Sequence, residues 1–358
     1  MASFNVDYST IGLMLSMSTI GKMALELPAG ILIPRIGVKK SMLFGATLMG
    51  VTTMTMFLAN SPLQIILCQL LMGIGSTFYN TARFSFAASV TTNENRGRSL
   101  SALGGTNRLS RIISTALGGF IGAQFGLRIP FLISGAIFLV AVLVMAFTIK
   151  PQSITPRKTT SNIHTLWKVF IQNRNALWRA GLGAILLTTV RMARFTLIPL
   201  YASEVLGLDA SRIGIILSIA SIADLLNVYT AGTLMDRFGR RFAAIPCVGV
   251  MAISMAILPF TTGFWGLLMV AILAGLGNGF GSGIMLTFGS DLAPPENREE
   301  FLSIWILMLD FGGVASPIIV GSISDALSLA ASGFAFFGIG MLGVFVYLFI
   351  VPETKKSE

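Results

Sequence analysis

The chain alternates long apolar blocks with short polar joins. The blocks are about twenty residues long, which is the length a helix needs to cross the hydrocarbon core of a bilayer. The joins contain turn-forming residues, as in "ANSP" near residue 60, "GLR" at 126 and "TTG" at 261. The pattern predicts an all-α membrane protein with eleven spanning helices, at residues 10–33, 41–59, 63–87, 100–124, 128–149, 178–203, 211–233, 242–260, 264–289, 300–323 and 331–351.

One join is much longer than the others. Residues 150 to 178 are basic and polar, and within them Leu166, Val169 and Phe170 share one side of a predicted helix. Such a segment is typical of a helix that lies on the membrane surface. We therefore predict a helical half at 1–150, a cytoplasmic linker at 151–177 and a second helical half at 178–358.

The composition indicates that lipid is the main solvent of this chain. Of its 358 residues, 54% are apolar and 11% are charged, with a mean hydropathy of +0.81, whereas a soluble domain is usually about a quarter charged. The net charge of +10 would suit a nucleic acid if it formed one patch. The basic residues are instead spread over the joins, so we expect a multi-pass integral membrane protein with no nucleic-acid partner.

The basic residues also predict an orientation. Most of the 25 lysines and arginines fall in joins on the side of the long linker, and only Arg128 and Arg212 fall in joins on the other side. Cytoplasmic joins are enriched in lysine and arginine. We expect the linker and the C-terminus in the cytoplasm and the protein in the cytoplasmic (inner) membrane.

Few side chains could support catalysis or metal binding. Cys68 and Cys247 lie inside apolar blocks, where a cysteine is usually a small buried residue, and His164 is the only histidine. We expect no metal site, no cofactor and no enzymatic activity, because the sequence offers no nucleophile–base pair or metal-ligand set. The phosphate-binding pattern G-x-x-x-x-G-K-[ST] is absent from the sequence. An ion gradient, with protons as the expected ion, is therefore the energy source we predict.

The two halves repeat each other at a fixed offset. Gly30 corresponds to Gly232 (232 − 30 = 202), and the same offset relates "GIGSTF" to "GLGNGF" and the "ENR" at 94–96 to the "ENR" at 296–298. Halves of the same topology, related by an axis along the membrane normal, are one of the internal symmetries of transporters. The offset places the counterpart of 178–203 before Met1. We therefore predict two six-helix halves, of which the first lacks its first helix.

Several motifs resemble those of one transporter family. "GTLMDRFGRR" at 232–241 matches the signature G-x-L-x-D-R-x-G-R-R that follows the second helix of a half. "GLRIPFLIS" resembles the stretch leading into the sixth helix, and "VPETK" resembles a common tail after the twelfth. The chain therefore resembles the major facilitator superfamily, and in particular its drug-efflux-like branch. The resemblance implies a protein that moves a small molecule across the lipid bilayer by alternating access, and we expect a monomer.

The signature loop is a predicted gating element. The resemblance implies that its acid ties the halves together when the cavity faces outward. Asp236 holds that position in the second half and Pro34 holds it in the first. Because proline cannot accept a charge-assisted hydrogen bond, we expect the tie formed by the first loop, here called a latch, to be weak or absent. Alternatively, both loops are only basic anchors of the topology. The residues assigned to the loops are Gly30, Arg35, Gly37, Gly232, Asp236, Arg237, Gly239 and Arg240.

Ionisable residues inside predicted spans are the next candidates, because burying them in a membrane is costly. The offset relates Lys22 to Asp224 and Arg108 to Asp310, so equivalent helices carry opposite charges. The helix packing that the resemblance implies brings Asp224 near Arg108, and Asp310 near Lys22 and Glu26. We predict ion pairs between the halves that open and close, with the acids as proton carriers. Alternatively, Lys22 and Glu26 neutralise each other one helical turn apart.

A third set of residues is predicted to contact the substrate. Arg83, Arg191 and Arg194 lie on the equivalents of the fourth and seventh helices, which in the family line the central cavity. Three cations would suit an anionic substrate, unless Arg83 and Arg194 extend their charges toward a membrane boundary. Asn80 and Asn278 are further candidates, although asparagines between helices also serve as packing contacts.

The function we predict is secondary active transport of a small molecule by alternating access, as proton-coupled efflux. Two departures from the branch's antiporter motifs keep alternatives open: "STALGG" at 114–119 lacks the Gly-Pro of G-P-x-x-G-G, and Gln69 replaces an arginine. The first alternative is transport of a small organic anion. The second is a truncated membrane protein that transports nothing.

Overall fold

The fold is all-helical in the residues that the computed structural model describes, which are 6–90, 96–149 and 163–354. Two short 3₁₀ turns, Leu258–Phe260 and Pro295–Asn297, accompany the α-helices. The helices are α1 Tyr8–Ile36, α2 Val38–Phe57, α3 Pro62–Val90, α4 Arg96–Phe125, α5 Ile129–Thr148, α6 Ile163–Gln172, α7 Arg174–Glu204, α8 Ala210–Leu226, α9 Val228–Phe238, α10 Arg240–Ile257, α11 Gly263–Phe280, α12 Ile284–Leu292, α13 Arg298–Ala326 and α14 Leu329–Phe349.

All eleven predicted spans fall on helices, so the prediction of an all-α membrane fold is confirmed. Among the described residues, eight helical segments are long and apolar enough to cross a membrane. They correspond to α3, α5, α7, α8 with α9, α10, α11 with α12, α13 and α14. The other three predicted spans are the helices α1, α2 and α4, which carry more polar and charged residues. The two cysteines are free and buried, as expected.

The described residues form two compact units, the first within Met1–Ser110 and Phe120–Thr160 and the second within Arg111–Gly119 and Ser161–Glu358. The short segment Arg111–Gly119 of α4 thus belongs with the second unit. The boundaries predicted from the repeat, 1–150, 151–177 and 178–358, stay predictions.

In the first unit, α3 packs against α1 and α2, and α2 packs against α5. The α1–α3 contact is close because Gly73 has no side chain: a Cβ there would lie 2.0 Å from the carbonyl oxygen of Ser18. Glycines allow membrane helices to approach backbone to backbone. The core of this unit consists of Ala29, Ile33, Val38, Met42, Phe78 and Ala82.

The second unit repeats this packing. Helix α11 packs against α8 and α10, and α10 packs against α14. A Cβ at Gly275 would lie 2.2 Å from the carbonyl oxygen of Ala220. Gly275 and Ala220 follow Gly73 and Ser18 by 202 positions each (275 − 73 and 220 − 18), so the same helix crossing occurs in both units. Helix α7 packs against α13 and α14 in the same unit.

Two predicted spans are interrupted, which the sequence analysis missed. The span 211–233 divides at Asn227 into α8 and α9, and the span 264–289 divides at 281–283 into α11 and α12. Gly283 has a φ of +79°, a left-handed conformation that favours glycine. The Nδ2 atom of Asn227 donates to the carbonyl oxygen of Leu276 at 3.0 Å, so the first interruption is tied to α11.

The long linker contains the predicted surface helix, α6. Val169 is buried, Leu166 is half-buried and Phe170 is exposed, so neighbouring residues cover only part of the predicted apolar side. Helix α6 packs against α13 and α7. Residues 150–162 of the linker and the side chain of His164 lie outside the described part of the chain.

Candidate functional site

The second unit contains a buried ion pair centred on Asp224. The Nη2 atom of Arg194, on α7, lies 3.4 Å from Asp224 Oδ2. The Nδ2 atom of Asn278, on α11, donates to the same oxygen at 2.7 Å. The side chain of Arg194 is 5% exposed and that of Asp224 is 16% exposed. Polar side chains from three candidate spans therefore meet in one place, where sequence analysis had named each of them separately.

The cluster lies where two helices are interrupted. Asp224 precedes the end of α8 by two residues, and Asn278 precedes the end of α11 by two residues. Arg191 donates from Nη2 to the carbonyl oxygen of Gly281 at 3.2 Å, inside the second interruption. Discontinuous membrane helices commonly build the substrate and ion sites of transporters. The geometry is therefore suited to ligand or ion binding.

One aromatic ring lies close to two cations beside this cluster. The guanidinium carbon of Arg194 lies 4.5 Å from the centroid of the Phe195 ring, and that of Arg111 lies 5.6 Å from it. Arg111 belongs to the second unit, in which Ser218 Oγ donates to the carbonyl oxygen of Ile112 at 2.9 Å. Sequence analysis missed Arg111 and Phe195. Arg111 could have been found, because it is an ionisable residue inside a predicted span.

The charge of the cluster is unbalanced. Arg191 lies about one turn before Arg194 on α7, and Arg111 lies near the same Phe195 ring, whereas Asp224 is the acid that pairs with Arg194 in the described part of the chain. The Nε atoms of Arg191 and Arg194 are buried and have no hydrogen-bond partner among the described residues. A buried donor without an acceptor is energetically costly. Two buried donors without acceptors therefore belong to a group of three cations that has one paired acid, and such an excess of positive charge favours binding of an anion.

The predicted substrate residues of the first unit make different contacts. Arg83 donates from Nη1 to Asn107 Oδ1 at 3.3 Å and lies over two aromatic rings of its own helix. Asn80 donates to the carbonyl oxygen of Ser76 at 2.9 Å, so one of its two amide hydrogens is used within α3. Both side chains are half-buried. Their predicted contact with substrate stays a prediction.

The predicted ion pairs between the halves also stay predictions. Lys22 and Glu26 lie one turn apart on α1, Arg108 lies on α4 and Asp310 on α13, and all four are half-buried. Pairing of Arg108 with Asp224, or of Asp310 with the α1 residues, would join the two units. The partner of Asp224 within its own unit is Arg194, which the sequence analysis had placed in the substrate cavity.

The first signature loop is a tight turn between α1 and α2. Gly37, with a φ of +93°, separates the two helices. Gly30 and Arg35 are exposed on α1. Lys39 donates from Nζ to the carbonyl oxygen of Ala146 at 2.7 Å, which ties this turn to the end of α5.

The second signature loop is held by two carboxylates that sequence analysis did not assign. Arg240 donates from Nε to Asp291 Oδ2 at 3.1 Å. The carboxylate of Glu353 accepts the backbone N–H groups of Arg240 and Arg241 at 2.8 and 3.2 Å, at the start of α10. A carboxylate is favourable there because the N-terminus of a helix carries partial positive charge. Gly239 has a φ of +102°, and a Cβ at that position would lie 2.3 Å from the Glu353 carboxylate.

The predicted latch acid makes no such contact. Asp236 is exposed and accepts no hydrogen bond from the described residues, and Arg237 beside it is also exposed. Gly232 lies within α9 and Cβ addition there would meet nothing within 4 Å. The latching role of Asp236 stays a prediction. The motif "VPETK" was the signal that could have identified Glu353.

Comparison with protein families decides the membership of this chain. The family model described as Major Facilitator Superfamily matches residues 1–226 and residues 184–358. The chain belongs to the major facilitator superfamily. The resemblance inferred from the signature loop and the repeat is thereby confirmed, and the chain is a membrane transporter.

Superfamily members with known names are distant from this chain in sequence. Multidrug resistance protein 2 of Bacillus subtilis is 24% identical over 276 residues, which cover 75% of this chain and 69% of that protein. Multidrug resistance protein 1 of the same bacterium is 23% identical and covers 91% of this chain and 83% of that protein. The synaptic vesicular amine transporter of Rattus norvegicus is 25% identical, with 72% of this chain and 48% of that protein covered.

The fold is also similar to that of solved superfamily structures. The crystal structure of the nucleoside transporter NupG aligns with a TM-score of 0.78, 15% sequence identity and coverage of 97% of this chain and 91% of that chain. At this identity the likeness establishes the fold alone.

Proposed function

We propose that this protein exports a small molecule across the cytoplasmic membrane by alternating access, and that proton movement through Asp224 drives the export. The observation that carries the proposal is the Arg194–Asp224–Asn278 cluster at the helix interruptions. An ionisable pair inside a membrane is expensive and is usually retained for function. The linker and C-terminus lie in the cytoplasm in this proposal, because the basic joins are on their side.

The geometry of Asp224 suits a reversible proton site. Arg194 and Asn278 both donate to Oδ2, and Oδ1 accepts no hydrogen bond from the described residues. A proton can therefore bind at Oδ1 while Asn278 keeps its bond to Oδ2. Protonation removes the negative charge that balances Arg194, so the guanidinium is released to bind another anion or to change its position. Proton binding and substrate binding are coupled in this proposal, because both change the interactions of Arg194.

The direction of transport is proposed from the relatives. Two bacterial members that are similar over most of this chain are named multidrug resistance proteins. Export of small molecules is the simplest function compatible with those names.

A second candidate function, transport of a small organic anion, is favoured by the charge imbalance of the cluster. Three arginines, Arg111, Arg191 and Arg194, accompany one acid, and the Phe195 ring lies close to the guanidinium groups of Arg194 and Arg111. An aromatic carboxylate could place its charge on the buried Nε donors and its ring beside Phe195. A cation would meet an excess of positive charge there.

The test is transport by the purified protein in liposomes with an imposed pH gradient. Ethidium serves as a lipophilic cation and labelled benzoate as an aromatic carboxylate. We expect one of them to move against its gradient, with up to about tenfold accumulation for each pH unit if one proton moves per substrate. Collapse of the gradient by a protonophore abolishes accumulation.

The outcomes separate the three candidate functions. Accumulation of ethidium supports multidrug efflux, and accumulation of benzoate that is lost in Arg194→Gln supports the anion function. Accumulation of the compound against its own gradient that continues without a pH gradient contradicts proton coupling. A protein that is folded and moves no compound of a broad panel supports the non-transporting alternative.

A further inference from the structure

Helix α6 and the start of α7 present an unusual surface. The exposed side chains include Trp167, Phe170 and Ile171 on α6 and Trp178 on α7, which are 63%, 39%, 47% and 70% exposed. The rings of Trp167 and Phe170 stack at a centroid distance of 5.7 Å. The opposite side is packed, since Val169 and Leu177 are each 1% exposed. Exposing this much aromatic surface to water is unfavourable.

Basic side chains accompany these aromatic residues. Lys168, Arg174 and Arg179 are all exposed, and none of them forms an ion pair or side-chain hydrogen bond within the described part of the chain. The acids on the neighbouring helix, Glu299 and Glu300, lie in the first turn of α13. No described residue therefore pairs with the charges of Lys168, Arg174 and Arg179. We define the α6 patch as Trp167, Lys168, Phe170, Ile171, Arg174, Trp178 and Arg179.

From this combination we propose that the α6 patch is a binding site for anionic phospholipid headgroups. The patch continues onto the start of α7, a candidate membrane span, so a bilayer surface is the partner within reach. Tryptophan side chains prefer the boundary between headgroups and acyl chains. Each lysine or arginine near an anionic membrane surface strengthens the binding of the protein segment to that surface by about fivefold. Tryptophan side chains alone would place the patch at the membrane boundary, and the three basic side chains beside them add the preference for an anionic headgroup.

The chain itself offers a matched control. Trp265, at the start of α11, is 73% exposed and has no lysine or arginine within eight residues on either side. Quenching of Trp265 therefore measures contact between a tryptophan and lipid where no basic residue is near in sequence. Trp305, the remaining tryptophan, is buried and donates from Nε1 to the carbonyl oxygen of Met285 at 2.8 Å, so it should be retained for folding.

The experiment measures quenching of tryptophan fluorescence by lipids brominated near the headgroup, in nanodiscs that hold the full chain. One variant keeps Trp167 and Trp305 (Trp178→Phe, Trp265→Phe). The control keeps Trp265 and Trp305 (Trp167→Phe, Trp178→Phe). Brominated phosphatidylglycerol and brominated phosphatidylcholine are compared at the same mole fraction. We expect phosphatidylglycerol to quench Trp167 about fivefold or more better than phosphatidylcholine, and the two lipids to quench Trp265 equally.

Neutralising the patch should remove the preference without removing the contact. In Lys168→Gln/Arg174→Gln/Arg179→Gln, added to the Trp167 variant, both lipids are expected to quench to the same extent. Equal quenching of Trp167 by both lipids before neutralisation would overturn headgroup selection. Absence of quenching by either lipid would show that the patch is not at the bilayer, and a preference that survives neutralisation would show that the three cations do not cause it.

Discussion

At the scale of single residues, the proposed coupling of protons to transport depends on one buried ion pair, Arg194 and Asp224. The side chains of Arg194 and Asp224 are 5% and 16% exposed, and their charged groups lie 3.4 Å apart. Removing one partner leaves an uncompensated charge, whereas removing both leaves none. The pair is therefore expected to show strong energetic coupling.

That coupling can be measured as stability. We predict that Asp224→Asn and Arg194→Gln each destabilise the protein, and that the double variant is less destabilised than the sum of the two, with a coupling energy of about 1–3 kcal/mol. The measurement is the thermal unfolding midpoint of the purified variants in detergent. Additive effects would show that the two side chains do not stabilise each other.

The residues of this pair were predictable from sequence, but their pairing was not. Arg191, Arg194, Asp224 and Asn278 were identified because charged and amide side chains are rare inside apolar blocks. Sequence spacing cannot say which face of one helix meets which face of another. The pairing of Asp224 with Arg194 inside the second unit was therefore not among the predictions, and the pairing with Arg108 stays a prediction.

At the scale of helices, the repeat determines how the elements pack. At Gly73, helix α3 lies against a backbone carbonyl oxygen of α1. At Gly275, helix α11 lies against a backbone carbonyl oxygen of α8. Most α-helices lose little by replacing glycine with alanine and usually gain, because alanine favours the helix. At these two crossings the added methyl group has no space.

Alanine substitutions should separate the two effects. We predict that Gly275→Ala lowers stability by about 1–3 kcal/mol, because the methyl group would collide with backbone atoms of Ala220. Gly338→Ala, on α14 in the same unit, meets nothing within 4 Å and should be neutral or slightly stabilising. Thermal unfolding in detergent measures both. Equal effects of the two substitutions would contradict the close crossing.

Some helix boundaries could not be derived from sequence. The interruption at Asn227 depends on the carbonyl oxygen of Leu276, which lies 49 residues further along the chain. Hydropathy is continuous through both interruptions, so each segment was predicted as one span. The positions of the spans were therefore predictable from local hydropathy, whereas the break at Asn227 involves a tertiary contact and the break at 281–283 involves the left-handed Gly283.

At the scale of the whole molecule, membership of the superfamily and an all-helical membrane fold were both predictable. The signature loop and the offset of 202 residues lie in the sequence itself, and they need no knowledge of contacts. Substrate, direction and coupling ion were not predictable to the same degree, because they depend on a few side chains that meet from distant helices. Arg111 is an example of such a side chain, because it belongs with the second unit although its helix starts in the first.

The central claim is that Asp224 couples proton movement to transport. The measurement that tests it most directly compares net accumulation with exchange in liposomes, using ethidium or benzoate, whichever the unmodified protein moves. We predict that Asp224→Asn loses accumulation driven by a pH gradient and still exchanges labelled for unlabelled compound, because exchange requires no net proton movement.

Glu204→Gln, an exposed acid at the end of α7, is the matched control and should retain both activities. If Asp224→Asn accumulates the compound as well as Glu204→Gln does under the same pH gradient, the proton does not pass through Asp224 and the account is contradicted.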